Sequence, residues 1–225
     1  MDIAFIDSQS KFQIIDWDRF SSALIIEINR GSVPYTSTAV AIGRNMLLTA
    51  AHSVDQYESG RVLLGDCYRG SKRSVKIKRC IIHPGYNPSK SFYENDIAII
   101  ILESNLPEDI RLERLSDYNK INRGDVLDRV GFGMRENKNI RTWSNPTYLT
   151  STFEQKNFVL EDNLSVVGDS GGPIFKNENG LLKLVGIHST LEGSNKTYVV
   201  NISYYIDWIE QNKSIKSLSH SSMQR

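Results

Sequence analysis

Four short stretches carry the side chains that could do chemistry. In GDSGGP (168–173), Ser170 stands among glycines at 168, 171 and 172. A serine hydroxyl is a weak nucleophile until a base takes its proton and a third group orients that base. Acyl transfer also needs backbone N–H groups aimed at a developing oxyanion, and a Gly-x-Ser turn can supply them from Gly168 and Ser170. In LLTAAHSV (47–54), His52 closes an apolar run; in ENDIAIIIL (94–102), Asp96 opens the most apolar run of the chain. LVGIHST (184–190) sets His188 in a strand-like apolar run, where a titratable ring needs a partner or a task. Singly, each has a plainer use: a turn serine, a structural histidine, a strand-start carboxylate, a core imidazole. Taken together they offer a nucleophile, a base and an orienting carboxylate.

These residues need rigid elements to bring them together. Short strand-like runs recur at 22–28, 37–43, 61–66, 74–82 and 96–102, then at 125–133, 145–154, 156–162, 172–176, 181–189 and 196–203. Val75 and Ile77 alternate with Lys76 and Lys78, the period of a half-buried strand. Asn, Gly, Pro and Ser cluster between the runs. The pattern predicts an all-β sandwich or barrel architecture. Residues 203–213 break it: Tyr205, Trp208 and Ile209 share one helical face, with Ser203 as the predicted N-cap. The serine-rich 214–225 reads as a flexible tail. Residues 102–125 read as the crossover between two halves.

Composition narrows the function. The 225 residues are 40% apolar and 24% charged, with a net charge of +1, so no strong field points to nucleic acid or an anionic membrane. The apolar run IAIIIL (97–102) is far short of a membrane span. MDIAFIDSQS lacks the basic start and apolar run of a secretory leader. The chain as given reads as cytoplasmic, or as extracellular if a leader was removed. Cys67 and Cys80 flank a predicted hairpin with its turn at 68–73, in an offset that disfavours a bridge; two free thiols are expected.

A histidine, an aspartate and a serine in that chain order, in TAAH, NDIAII and GDSGGP, resemble the trypsin/chymotrypsin family of serine endopeptidases. HPGYN (83–87), VGFG (130–133) and YYIDWIEQN agree, so the resemblance covers roughly residues 14–212. It implies two antiparallel six-stranded β-barrels, at 14–113 and 114–202, followed by a C-terminal helix at 203–213, with the site in the cleft between the barrels. It also implies a peptide or protein substrate, a monomer, and no cofactor or metal. Ser170 is implied as nucleophile, His52 as general base and then acid, and Asp96 as the group that fixes the imidazole. Gly168 and Ser170 are the implied oxyanion donors, and Ser189 matches a serine that hydrogen-bonds the aspartate. A catalytically idle protease fold acting as a binding module is the alternative, although all three triad members are present.

The departures from the family set further expectations. Ser53 stands where a cysteine commonly follows the histidine, and position 166 also lacks one, resembling a cysteine-poor bacterial branch. The basic loop GDCYRGSKRSVK offers few oxygen ligands for calcium. In relatives with GDSGGP, the aspartate pairs with an ammonium freed by cleavage. For Asp169, either Ile14 supplies that ammonium, with 1–13 as a candidate propeptide, or an internal Lys or Arg pairs with it and the enzyme is born active. In the specificity pocket, Leu164 falls at the base where trypsin-type enzymes hold an aspartate, so Lys or Arg specificity is not expected. Ser165, His188 and Ser189 complete the pocket. Ser165 facing His188 resembles the glutamyl endopeptidases, and Leu164 with the loop 191–196 equally suits an apolar side chain.

Overall fold

The computed structural model describes residues 13–14, 20–71, 73–89, 93–115, 121–135, 138–139, 141–151, 156–193 and 195–221. The strands before residue 103 are β1 (Gln13–Ile14), β2 (Ala23–Arg30), β3 (Val33–Gly43), β4 (Met46–Thr49), β5 (Ser59–Leu64), β6 (Arg73–Ile82) and β7 (Ala98–Leu102). A short helix, α1 (Ala51–Val54), follows β4. Beyond the crossover come β8 (Asp128–Gly131), β9 (Met134–Arg135), β10 (Lys138–Asn139), β11 (Thr142–Ser144), β12 (Thr147–Ser151) and β13 (Asn157–Glu161). β14 (Pro173–Glu178), β15 (Leu181–Glu192) and β16 (Lys196–Asn201) complete the sheet.

Strands β2-β3-β4-β7-β6-β5 close into a six-stranded barrel. The second half is one curled sheet in the order β1-β11-β8-β14-β15-β16-β13-β12. It returns on itself where Thr147, at the start of β12, bridges Val126 just before β8. The second barrel is therefore an eight-stranded sheet rather than a six-stranded ladder. Part of the difference is β1, which precedes the first barrel in sequence yet pairs Gln13 with Trp143 and Ile14 with Thr142.

Burial explains why the apolar runs do not alternate. In β7, Ala98, Ile100 and Leu102 join Leu24, Ile26, Leu47 and Val62 inside the first barrel. Ile99 and Ile101, on the other face, pack with Val40, Leu48, Val130, Phe175 and Ile187 in a core shared by both halves. A strand buried on both faces loses the period-two signal. A smaller core of Leu127, Tyr148, Phe158, Leu160, Ile174, Val185 and Val199 fills the second half. β14 and β15 turn through Asn179 (φ 52°) and Gly180 (φ 86°), the Asn-Gly pair that a two-residue hairpin selects.

The C-terminal element differs from its predicted form. A 3₁₀ turn, Ile202–Tyr205, leads into α2, Ile206–Ser221. The cap is Asn201, whose side-chain oxygen accepts from the N–H and hydroxyl of Ser203 at 3.2 and 2.7 Å. Ser203, the predicted cap, is thus the capped residue. The helix runs past Lys213 because no Gly or Pro interrupts 213–221; the remainder of the predicted tail, 222–225, lies outside the described residues, as do residues 1–12 of the candidate propeptide. Cys67 and Cys80 are unbridged, and burial pushes the Cys80 thiol up to about 12.

Candidate active site

His52 lies in α1, directly after β4, and Asp96 lies just before β7, the neighbour of β4 in the barrel. Pairing of Thr49 with Ala98 brings both residues to the same barrel end. The carboxylate of Asp96 is fully buried and grips the histidine twice. Oδ1 accepts the His52 backbone N–H at 2.8 Å, and Oδ2 accepts from Nδ1 at 2.8 Å. Ser189 Oγ donates to Oδ2 at 2.5 Å. The neighbouring Asn95 has a left-handed backbone (φ 51°). Its side-chain oxygen accepts from Tyr205 Oη at 3.0 Å and its amide donates to Gly85 O at 2.7 Å. With Nδ1 committed to Asp96, Nε2 is the ring nitrogen left for proton transfer.

Ser170 comes from the second half. Its Oγ donates to the carbonyl of Ser189 at 3.2 Å. The first barrel holds its loop: Thr38 N and Ser37 Oγ donate to Ser170 O at 2.9 and 2.6 Å, and Thr38 Oγ1 donates to Gly168 O at 2.8 Å. Phe132 N in turn donates to Thr38 Oγ1 at 3.0 Å. Gly171 has φ 81°, and a Cβ there would lie 2.1 Å from Thr38 O, so only glycine lets the loop approach β3 this closely. Gly168, at φ 101°, is buried. Ser53, noted for its missing cysteine, shares a 2.8 Å hydrogen bond with Ser37 Oγ. Since Ser37 gives its proton to Ser170 O, Ser53 is the donor of that pair.

Of the predicted pocket residues, Ser165 and His188 meet. Ser165 Oγ and His188 Nε2 are 2.5 Å apart. His188 is 1% exposed. Burial, then the charge of Arg129, pushes its pKa down to about 4 against the opposing pull of Asp169 and Asp162. The imidazole is therefore neutral at neutral pH. Among the described residues its Nδ1 has no hydrogen-bond partner, and neither have Thr190 Oγ1 and Thr197 Oγ1 on strands β15 and β16. The Ser189 hydroxyl is committed to Asp96, so its share in a pocket falls to its backbone. Leu164 is half-buried, and its N–H donates to Asp162 Oδ1 at 3.0 Å. A cavity of about 510 Å³ includes Leu164 with Asp162, Asn163, Asn195 and the 144–147 turn, but none of the three triad candidates lines it. Glu192, in the segment 191–196, accepts from Tyr198 Oη at 3.0 Å and lies 3.8 Å from Lys196.

Asp169 has no exposure and meets two arginines, Arg129 and Arg135, at 2.8 and 2.7 Å. Ile14 stands in β1 opposite Thr142. Sequence reasoning overlooked both arginines, along with Ser37 and Thr38. Arg129 left a trace, since a charge between Leu127 and Val130 in an apolar strand implies a buried partner. Thr38 left none.

A family model described as Trypsin matches residues 10–209. The CLIP domain-containing serine protease B4 of Anopheles gambiae is 25% identical over 243 residues, covering 87% of this chain and 67% of that protein. Vitamin K-dependent protein C of Oryctolagus cuniculus is 27% identical, covering 76% of this chain and 45% of that protein. Chymotrypsin-like elastase family member 1 of Macaca fascicularis is 27% identical, covering 84% and 82%. Among solved structures, an HL collagenase superposes with a TM-score of 0.77 at 21% identity, covering 89% of this chain and 96% of that one, a likeness of fold.

Proposed function

The chain belongs to the trypsin family of serine proteases, and on that premise we propose that it is an endopeptidase working through Ser170, His52 and Asp96. The observation that carries this reading is the double hold of Asp96 on His52, at 2.8 Å from both the backbone N–H and Nδ1. That hold leaves Nε2 to take the proton of Ser170 Oγ as the oxygen bonds to the substrate carbonyl carbon. The N–H groups of Gly168 and Ser170 receive the oxyanion. His52 then returns the proton to the departing amine, leaving the acyl group on Ser170. A water, deprotonated by the same Nε2, releases the acid and restores the serine.

For the residue before the cut, the polar lining of the pocket favours an acidic side chain over an apolar one. A buried N–H without an acceptor costs more than a bare ring nitrogen, so the proton of neutral His188 belongs on Nε2, donated to Ser165 Oγ. The Ser165 hydroxyl proton is then free to meet a substrate carboxylate.

A fluorophosphonate probe tests the triad. It should label the folded chain on Ser170, and Ser170→Ala should abolish labelling; a wild-type chain that takes no label is the idle fold. The pocket is tested by kcat/KM for Glu against Gln, Leu and Phe before the cut, in wild type and in Ser165→Ala and His188→Ala. Glu should lead, by a margin that collapses in both variants. An unchanged ratio returns His188 to a purely structural role.

A further inference from the structure

The carboxylate of Asp169 lies at the back of the Ser170 loop and accepts from five donors. Oδ1 receives Gly133 N at 2.8 Å and Arg135 Nη1 at 3.3 Å. Oδ2 receives Arg135 Nη2 at 2.7 Å, Arg129 Nη1 at 2.8 Å and Val166 N at 3.0 Å. Burial alone would raise its pKa, but the charges of Arg129 and Arg135 hold it far below the usual carboxylate range. Arg129, 1% exposed, is balanced on its other side by Asp162, with Nε 2.6 Å from Oδ2. Among the described residues, two guanidinium groups and two carboxylates thus balance in charge around Asp169, without a further ammonium.

Arg135 has a second attachment. It projects from β9, and its Nη2 also donates to the carbonyl of Leu164 at 2.7 Å. One guanidinium therefore ties the predicted pocket base to Asp169, the residue between the two predicted oxyanion donors. The backbone of Asp169 is held too: its N–H donates to Val166 O at 3.1 Å and its carbonyl accepts from Gly172 N at 2.9 Å. Turning Asp169 would turn the two peptide groups beside it, one carrying the N–H of Ser170 and the other the carbonyl of Gly168, whose own N–H is the second predicted donor.

We propose that Arg129 and Arg135 supply from within the fold the positive charge that assembles the Ser170 loop, so that activity requires no new N-terminus at Ile14, and that Arg135 is a positioning residue for the oxyanion donors. This rests on the triad reading above. It also leaves the β1 pairing of Ile14 with Thr142 intact in the active form.

The test uses the 1–225 chain, shown to be uncut by intact mass. It should take the fluorophosphonate label and hydrolyse peptide without cleavage, and acetylating its α-amine should change neither. Placing a cleavage after Gln13 should bring no gain. An inert uncut chain that cleavage after Gln13 switches on overturns the inference and leaves the triad standing. A chain inert in both forms, though folded by circular dichroism, overturns the triad reading itself. Arg135→Gln should lower kcat on the order of 10²-fold with a smaller change in KM, the loss expected when oxyanion donors are misplaced. Arg135→Lys should recover much of it, and ethylguanidine should restore part of the activity of Arg135→Ala. Full kcat in Arg135→Gln refutes the positioning role, and so does a loss that neither lysine nor ethylguanidine repairs.

Discussion

His52 has a carboxylate fixed on Nδ1 and its backbone N–H tied to the same group, so its ring has one orientation in which to work. Residues that act as such a unit lose activity together. Ser170→Ala should cost about 10⁵–10⁶-fold in kcat, His52→Ala a similar amount, and the double variant little more. Additive losses in steady-state assays would break the triad assignment. Asp96→Asn should cost about 10⁴-fold, because an amide can present a donor where Nδ1–H needs an acceptor. Ser189→Ala removes one donor from a fully buried carboxylate and leaves the His52 contacts in place. Its effect should be far smaller than that of Asp96→Asn in the same assay.

Among the elements, β3 has the widest reach. It contributes Val40 and Ile42 to the shared core, while Ser37 and Thr38, toward its middle, clamp the Ser170 loop from the opposite barrel. Thr38→Val keeps the shape but leaves Gly168 O and Phe132 N without their hydroxyl partner. The cost should be about 2 kcal/mol in urea unfolding, with a drop in kcat as the oxyanion loop relaxes. Thr38→Ser keeps the hydroxyl and should recover the kcat. If Thr38→Val is as active as wild type, the clamp has no part in catalysis. The 3₁₀ turn before α2 acts on the other partner: Tyr205 reaches Asn95 beside Asp96 and sits 5.2 Å from the His83 ring, so the chain end braces the start of β7.

For the molecule as a whole, the buried ionisable groups of the second half make stability depend on pH. His188 has a pKa of about 4 in the fold against 6.5 when unfolded, so in that interval the unfolded chain binds the extra proton. Stability should therefore hold above pH 6.5 and fall as pH drops from there toward about 4, by an amount on the order of 3 kcal/mol. Burial and Lys156 lower the pKa of His83 as well, and it adds in the same direction. Asp169 acts lower down: its depressed pKa contributes stability above 3.8 that is lost as acid reaches the folded carboxylate. Urea midpoints across this range should show the upper limb reduced in His188→Gln and the lower limb retained. A wild-type midpoint that stays flat from 6.5 to 4 would contradict the buried neutral imidazole.

The all-β class, the strand runs, the terminal helix and the triad candidates were legible in the sequence. Each of these is written locally, in alternation, turn residues, or a motif whose glycines are required by its own backbone. Gly171 is glycine because of where Thr38 O lies, yet the need shows in the motif GDSGGP itself. The sequence also showed that Asp169 needed a counter-charge, since a buried carboxylate without one is costly. It could not choose between Ile14 and an internal cation. That choice depends on which side chains from distant strands converge on one buried point, and no local pattern encodes convergence. Arg129, Arg135 and Asp162 meet there only because β8, β9 and the segment after β13 are brought together by the curled sheet. The same holds for the joining of β1 to β11 and for the grip of Ser37 and Thr38 on the Ser170 loop, contacts that exist only once the two halves have packed.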